Sequence, residues 1–374
     1  MLGPVRPARS RPAAGRNPRP HPAACPQQSV SSARGCAIEP EPTRPVAQPA
    51  VTPGFTLPSH LQASCQFLAG TGWSQARWEP LSGDASARIY YRLRLGQQTA
   101  VLMDARHLLE TVPPFIAIDE HLGRLGLSVP RILAKAPTAG LLLLEDFGDY
   151  TFSRLLDDGA DPERFYGLAT DVLIAIHRHP HAVPTGLRAY DQDRMLQDLE
   201  LFLDWCTPGI SEQGRAAFVA AWRAVLPLAH QVPVSFLHRD YHAANLMWLP
   251  DRPGVRQVGV LDFQDAYQGP ITYDLVSLFE DARRDVPQPV RQRMLERYLR
   301  EFPALDRDTF WTSMAVLAAV RHTRVLAVFE RLSQRDHKPA YKQLHSKRVQ
   351  HLLRQALQHP SLSLLKRWFD TYAG

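Results

Sequence analysis

Cysteine, lysine and long apolar runs are all scarce in this chain, and each scarcity excludes something. The four cysteines, Cys25, Cys36, Cys65 and Cys206, stand far apart with no C-x-x-C pair. Such spacing suits neither a zinc site nor a disulfide framework, and a reducing cytoplasm is the expected setting. Apolar runs such as Leu141–Leu144 are far too short to cross a bilayer, so no membrane span is expected. Lysine occurs five times against 38 arginines, and none precedes Lys135.

The net charge of +6 is unevenly spread. Residues 1–50 hold seven Arg and two Glu and so contribute +5, which leaves about +1 for everything from Val51 onward. The basic residues of that larger part form no run or stripe of the kind that tracks a phosphate backbone, so nucleic acid is not an expected partner. Residues 1–50 also carry eleven prolines and almost no bulky apolar side chains. Such a segment cannot offset its ordering entropy by burial and is expected to be a disordered tail. With no apolar h-region it does not read as a secretory signal, and its prolines argue against the amphipathic helix of a transit peptide. An artefact of start-site choice is the other reading kept open for it.

What is present from about Leu57 has the texture of a folded α+β protein. A helical stretch near Leu57–Ala69 leads into a strand pair, Ile89–Leu95 and Thr99–Asp104, turning at Gly96. A helix over Pro114–Leu125 is closed by Gly126, and Leu141–Asp146 reads as a buried strand. Beyond it Phe165, Leu168, Val172 and Ile176 recur at helical spacing. Short strands return near Val234–His238, Asn245–Leu249 and Val258–Asp262, and residues 290–372 are mostly helical. This order predicts a bilobal fold, with a small β-rich lobe over 57–145 and a larger helical lobe over 146–372.

The segment Phe236-Leu237-His238-Arg239-Asp240-Tyr241-His242-Ala243-Ala244-Asn245 sets an Asp five residues before an Asn, directly after an apolar strand. Seventeen residues past Asn245, a second apolar strand ends in Asp262-Phe263. Singly, such residues are ordinary turn formers and caps. Together they are the parts phosphoryl transfer needs. One carboxylate (Asp240) orients the attacking hydroxyl and takes its proton, and two oxygen ligands (Asn245 and Asp262) hold Mg²⁺ against the nucleotide phosphates.

On these residues the chain resembles the aminoglycoside phosphotransferase/choline kinase superfamily, whose fold is protein-kinase-like. Within it, the chain resembles most the bacterial kinases acting on the anomeric hydroxyl of N-acetylmuramate and N-acetylglucosamine in peptidoglycan recycling. That likeness rests on Gly83-Asp84-Ala85-Ser86 with Arg88 and Arg92, Val101–Ala105, Leu144–Asp149, His238–Met247, Leu261–Phe279 and Glu280–Val286, and it covers about residues 57–370. It implies ATP and Mg²⁺ as cofactors and an amino-sugar acceptor; a cytoplasmic monomer is the expected form. The loop Ser82, Gly83, Asp84, Ala85 and Ser86 would cradle phosphates with its backbone N–H groups. Glu145, Asp146 and Phe147 would form the hinge against adenine. Asp146-Phe147-Gly148 is not the metal-binding triplet, because it precedes Asp240 in the chain.

Other kinases pair the nucleotide phosphates with a strand lysine. None is available here, and Met103 occupies the expected strand, so Arg88, Arg92 or Arg106 is expected to supply the charge. Asp274 opens a helix and is expected to support the loop around Asp240. His177, at a helix end, reads as a cation offsetting the helix dipole. For the acceptor, the candidates are Asp265, Asp204 with Trp205, Arg283 and Arg284, and Arg321 with Arg324, since arginine is the natural partner of a muramyl carboxylate. Two rival readings remain. One is a kinase of an aminoglycoside, choline or ethanolamine; the other is a nucleotide-binding regulator without turnover.

Overall fold

The computed structural model describes residues 59–81 and 88–373; the tail over 1–50 and the Ser82–Ser86 loop lie outside the described residues. Helix α1 (Ser59–Ala69) leads to strands β1 (Arg77–Leu81), β2 (Ile89–Leu95) and β3 (Gln98–Asp104), then α2 (Val112–Arg124), β4 (Ile132–Ala136) and β5 (Leu141–Glu145). The five strands form one sheet in the order β1-β2-β3-β5-β4, with every neighbouring pair antiparallel. The β2–β3 hairpin turns at Gly96, whose φ of +58° is a left-handed value that glycine adopts without a Cβ penalty.

The four leucines of β5 show why the sheet needs cover on both faces. Leu141 and Leu143 pack with Leu68, Leu93 and Leu102 on the α1 side, while Leu142 and Leu144 join Phe115, Ile118 and the main core. A period of two places alternate side chains on opposite faces, so an unbroken apolar strand is buried twice. The sequence reading did not include β1 and β4. Both are five-residue strands at the two edges of the sheet, and β1 contains Pro80, which an edge tolerates because one row of N–H groups has no strand to pair with.

The larger, helical part follows. It comprises α3 (Phe152–Asp157), α4 (Pro162–Arg178), α5 (Gln192–Trp205), α6 (Glu212–Ala229) and β6 (Val234–Leu237), then β7 (Leu246–Trp248), β8 (Val258–Val260) and β9 (Tyr267–Pro270). Helices α7 (Thr272–Phe279), α8 (Gln288–Glu301), α9 (Arg307–Gln334), α10 (Ala340–Ala356) and α11 (Ser363–Tyr372) complete it. Strands β6 and β9 pair antiparallel, as do β7 and β8, giving two ribbons that carry the loops described below. Among the described residues α9 is the one helix long and apolar enough to cross a membrane, but 72% of its apolar window is buried within the protein. It is the central core helix, packed against α5, α6, α7 and α10.

His177 departs from the dipole-offsetting cation expected of it. It sits in the last turn of α4, but α8 covers that turn, and its Nδ1 lies 2.7 Å from the Tyr298 hydroxyl. Burial pushes the imidazole down to about 3, so it is neutral near pH 7. Because the unfolded chain takes up a proton below about pH 6.5 that the folded chain refuses, this histidine stabilises the fold above that pH, and the contribution is lost as the pH falls toward 3. A His177→Phe variant is expected to show a shallower fall in stability between pH 6 and 4, by about 1.4 kcal/mol per pH unit, measurable by urea denaturation at each pH.

Candidate active site

The chain leaves β6 at Leu237 and loops from His238 to Asn245 before entering β7. Two backbone positions here are left-handed without being glycine, Arg239 at φ 81° and Asp262 at φ 62°. Each costs on the order of 1–3 kcal/mol unless its surroundings enforce it. The enforcement at Arg239 comes from Asp274 in the first turn of α7. Its buried carboxylate accepts the N–H groups of His238 (2.6 Å) and Arg239 (2.9 Å). Burial pushes Asp274 up to about 6, against the pull of those hydrogen bonds. The remaining support is His238 itself, whose Nε2 lies 2.9 Å from the Leu261 carbonyl oxygen.

Pairing of β7 with β8 sets Leu246 opposite Val260, and the N–H of Leu261 donates to the Asn245 carbonyl at 3.0 Å. The two ribbons thereby bring Asp240, Asn245 and Asp262 together, although 22 positions separate the first from the last. The Nδ2 of Asn245 donates to the Asp240 carbonyl at 2.9 Å and lies 3.5 Å from Asp262 Oδ2. Gln264 donates to the other oxygen of Asp262 at 2.7 Å. Among the described residues no group of three or more His, Cys, Asp and Glu forms a metal cluster. Two oxygen-bearing side chains facing open space nonetheless fit Mg²⁺, which takes one or two protein ligands and completes its shell with phosphates and water.

Burial alone would raise the Asp240 carboxyl, but Arg324, Arg321, His242 and Arg239 outweigh it and hold the group well below the usual carboxylate range. The carboxylate is therefore ionised near neutral pH, able to accept a hydrogen bond from a hydroxyl.

Two cavities meet at Asn245 and Asp262, which line both. The first, about 420 Å³, is bounded by Tyr90, Val101, Phe115, Leu144, Met247 and Phe263 and reaches Glu145, Asp146 and Phe147. Its apolar walls suit a flat heterocycle. The Glu145–Phe147 segment is tied down residue by residue. Glu145 pairs with Arg252 at 2.6 Å, Asp146 pairs with Arg92 at 2.7 Å, and the Arg252 guanidinium lies 5.1 Å from the Phe147 ring centroid. The second cavity, about 290 Å³, contains Asp240 together with Arg88, His242, Asp265, Arg283, Arg321 and Arg324. Its far wall is apolar, made by Val325, Val328, Leu332 and the stacked pair Phe329–Tyr341.

Of the three arginines weighed against the missing lysine, two are committed elsewhere. Arg92 spans Asp146, Asp149 and the Gly148 carbonyl, and Arg106 is held by Asp104. Arg88 is the one that lines the Asp240 cavity, and it also hydrogen-bonds Tyr90 in the neighbouring one. Asp265, Arg283 and Arg321 share the Asp240 cavity, as does Arg324. Arg284 does not; it reaches away to Ser153 and Asp157. Asp204 is also outside, exposed at the end of α5 and paired with Arg215 at 3.1 Å. The same helix carries Asp198, which sequence reasoning passed over and which is buried. Six residues separate the two acids, about 120° round a helix of 3.6 residues per turn, so one faces α9 and the other faces solvent.

Asp198 is the hub beneath the site. It accepts from Tyr190 (3.0 Å), Arg194 (2.6 Å) and Arg239, and lies 3.5 Å from Arg324. The Arg239 guanidinium also stacks over Tyr190 and Tyr267, at 5.3 and 5.0 Å from their ring centroids. A signal was available: Asp198 interrupts the apolar face formed by Met195, Leu199 and Phe202, where a carboxylate survives only with buried partners.

The sequence profile described as the phosphotransferase enzyme family matches residues 77–311. An N-acetylmuramate/N-acetylglucosamine kinase of Caulobacter vibrioides is 36% identical over 359 residues, covering 85% of this chain and 98% of that protein. A kinase of the same name from Pseudomonas aeruginosa is 35% identical, covering 74% and 83%. Among solved structures, a choline/ethanolamine kinase family protein of Mesorhizobium loti superposes with a TM-score of 0.57 at 14% identity, covering 82% of this chain and 97% of that one. The GDP complex of aminoglycoside 2'-phosphotransferase-IIIa does so with a TM-score of 0.56 at 13% identity, covering 80% and 98%. The small antiparallel sheet set against a larger helical part, with Asp240, Asn245 and Asp262 gathered between them, makes this chain a member of the phosphotransferase enzyme family.

Proposed function

We infer that this protein transfers the γ-phosphate of ATP to the anomeric hydroxyl of N-acetylmuramate or N-acetylglucosamine, yielding the sugar 1-phosphate, in the reuse of peptidoglycan sugars. The observation that carries the choice of acceptor is the composition of the Asp240 cavity, where four arginines face three aspartates. Two of those aspartates, Asp240 and Asp262, are assigned to the chemistry. With Arg88 given to the phosphates and Arg324 set against Asp198, what is left for the acceptor is Arg283 and Arg321 with Asp265, a cationic balance that suits an anionic sugar and repels choline or an aminoglycoside. The volume of about 290 Å³ also suits a single amino sugar.

In this reading Asp240 orients the sugar hydroxyl and takes its proton late. Little basicity is needed, because an anomeric hydroxyl is more acidic than an ordinary alcohol. Asn245 and Asp262 would hold Mg²⁺, which when bound neutralises charge on the phosphates. Arg88 supplies the positive charge that a strand lysine gives elsewhere. The Ser82–Ser86 loop is proposed to cover the phosphates, and the Glu145–Phe147 backbone to meet adenine.

The test is ATP-dependent phosphorylation of N-acetylmuramate, N-acetylglucosamine, kanamycin and choline, followed by phosphorus NMR of the product. A sugar 1-phosphate signal supports the reading, and turnover of kanamycin or choline alone overturns the sugar assignment. The hinge gives a second prediction. A Cβ at Gly259 would stand 2.7 Å from the Phe147 ring, so the ring must move. Overpacking of this kind costs about 1–3 kcal/mol, so Gly259→Ala is expected to raise KM for ATP about tenfold while changing kcat less, measurable in steady state.

A further inference from the structure

The cavity beside Asp240 holds more hydrogen-bond donors than the protein satisfies. Arg321, on α9, is 2% exposed and lines the cavity, yet its Nε and Nη1 are buried without a partner. Its neighbours are engaged: Arg324 lies against Asp198, and Arg283 gives Nη1 to His242 Nε2 at 2.9 Å. That last contact settles the tautomer of His242. A guanidinium can only donate, so Nε2 accepts and the proton sits on Nδ1. Burial, the largest influence, brings this imidazole down to about 4, so near pH 7 it is neutral. Its Nδ1–H is likewise buried with no acceptor in the protein. A buried donor left unsatisfied costs about 1–3 kcal/mol, and more when the group is charged. Two such groups in one cavity, next to the nucleophile-orienting Asp240, mark a place where a ligand supplies the acceptors.

We propose that Arg321 reads the carboxylate of the acceptor sugar and so sets the preference between the two sugars, while His242 Nδ1–H receives a neutral oxygen that both sugars possess. This rests on the sugar-kinase reading above. N-acetylmuramate differs from N-acetylglucosamine by a lactyl ether bearing a carboxylate, and a guanidinium is the group that binds it at two points. Arg321 also helps hold Asp240 ionised, but that influence acts on every acceptor alike. The discrimination between acceptors isolates the contact.

The experiment compares kcat/KM for N-acetylmuramate, its methyl ester and N-acetylglucosamine in the wild type, Arg321→Met and Arg321→Lys. Removing one member of a buried charge pair supports an expected shift of about 10²-fold in the ratio of the two sugars, toward N-acetylglucosamine, in Arg321→Met. Arg321→Lys, which keeps the charge and loses the fork, is expected to recover only part of the ratio. The wild type is expected to prefer the acid to its ester, and Arg321→Met to treat them alike. His242→Phe should lower both sugars in the same proportion. An unchanged ratio of the sugars in Arg321→Met overturns the assignment. So does a wild type that accepts acid and ester equally, an outcome that needs no variant to fold. A wild type that phosphorylates neither sugar instead brings down the sugar-kinase reading, and this inference with it.

Discussion

Asp240→Asn is expected to lower kcat by about 10²–10⁴-fold while leaving KM for ATP nearly unchanged. Asparagine matches the carboxylate in shape, so the loop from His238 to Asn245 keeps its hydrogen bonds. In particular the Asn245 contact goes to the backbone carbonyl of residue 240 and does not involve its side chain. What disappears is a negative charge surrounded by Arg324, Arg321 and Arg239, and with it the acceptor proposed for the sugar proton. The cavity proposed for the nucleotide does not include Asp240, which is why ATP binding should survive. Stopped assays with titrated ATP and a fixed saturating sugar separate the two constants. A variant with half the wild-type kcat would show that Asp240 neither orients nor accepts. Because the carboxyl is held so low, wild-type activity should also lose nothing to Asp240 protonation down to about pH 5.

The second large effect is structural. Asp198→Ala leaves Arg239 and Arg324 buried without their carboxylate, and breaking a buried pair from one side costs about 3–5 kcal/mol. Both guanidiniums are well shielded, with side chains 8% and 17% exposed, so water does not replace the lost partner. Urea denaturation is expected to show that loss in full. Asp198→Asn should lose less, since an amide oxygen still accepts from Tyr190, whose hydroxyl lies 3.0 Å away. Near-equal stability of wild type and Asp198→Ala would mean that the two arginines find other partners. The destabilisation should reach activity as well, since Arg239 carries the left-handed backbone that places Asp240.

Much of this site is legible in the chain because its parts are local. Asp240 and Asn245 sit in one loop, and the strand that leads to Asp262 pairs directly with the strand that follows Asn245. Spacing along the chain is therefore close to spacing in space. The buried leucines of β5 and the β2–β3 hairpin are legible for the same reason, since alternation and a single glycine turn are properties of a few consecutive residues.

What escaped the sequence depends on which face of a helix meets which neighbour. Asp198 and Asp204 share a helix and a residue type, and only the packing of α5 on α9 buries the first and leaves the second paired with Arg215 at the surface. His177 looked like a cation at a helix end, but α8 covers it and leaves it neutral. Arg92 and Arg106 looked equivalent to Arg88, but Asp146 and Asp149 from a distant segment take up the first, and the neighbouring Asp104 takes up the second. By itself the sequence determined the two-part fold and the grouping of Asp240, Asn245 and Asp262, because these rest on short-range pattern and turn chemistry. The tertiary structure alone decided that Arg283, Arg321 and Arg324 line the cavity beside Asp240 while Arg92 and Arg284 reach away to other carboxylates, because a charge is claimed by whichever partner long-range packing brings within a few ångströms.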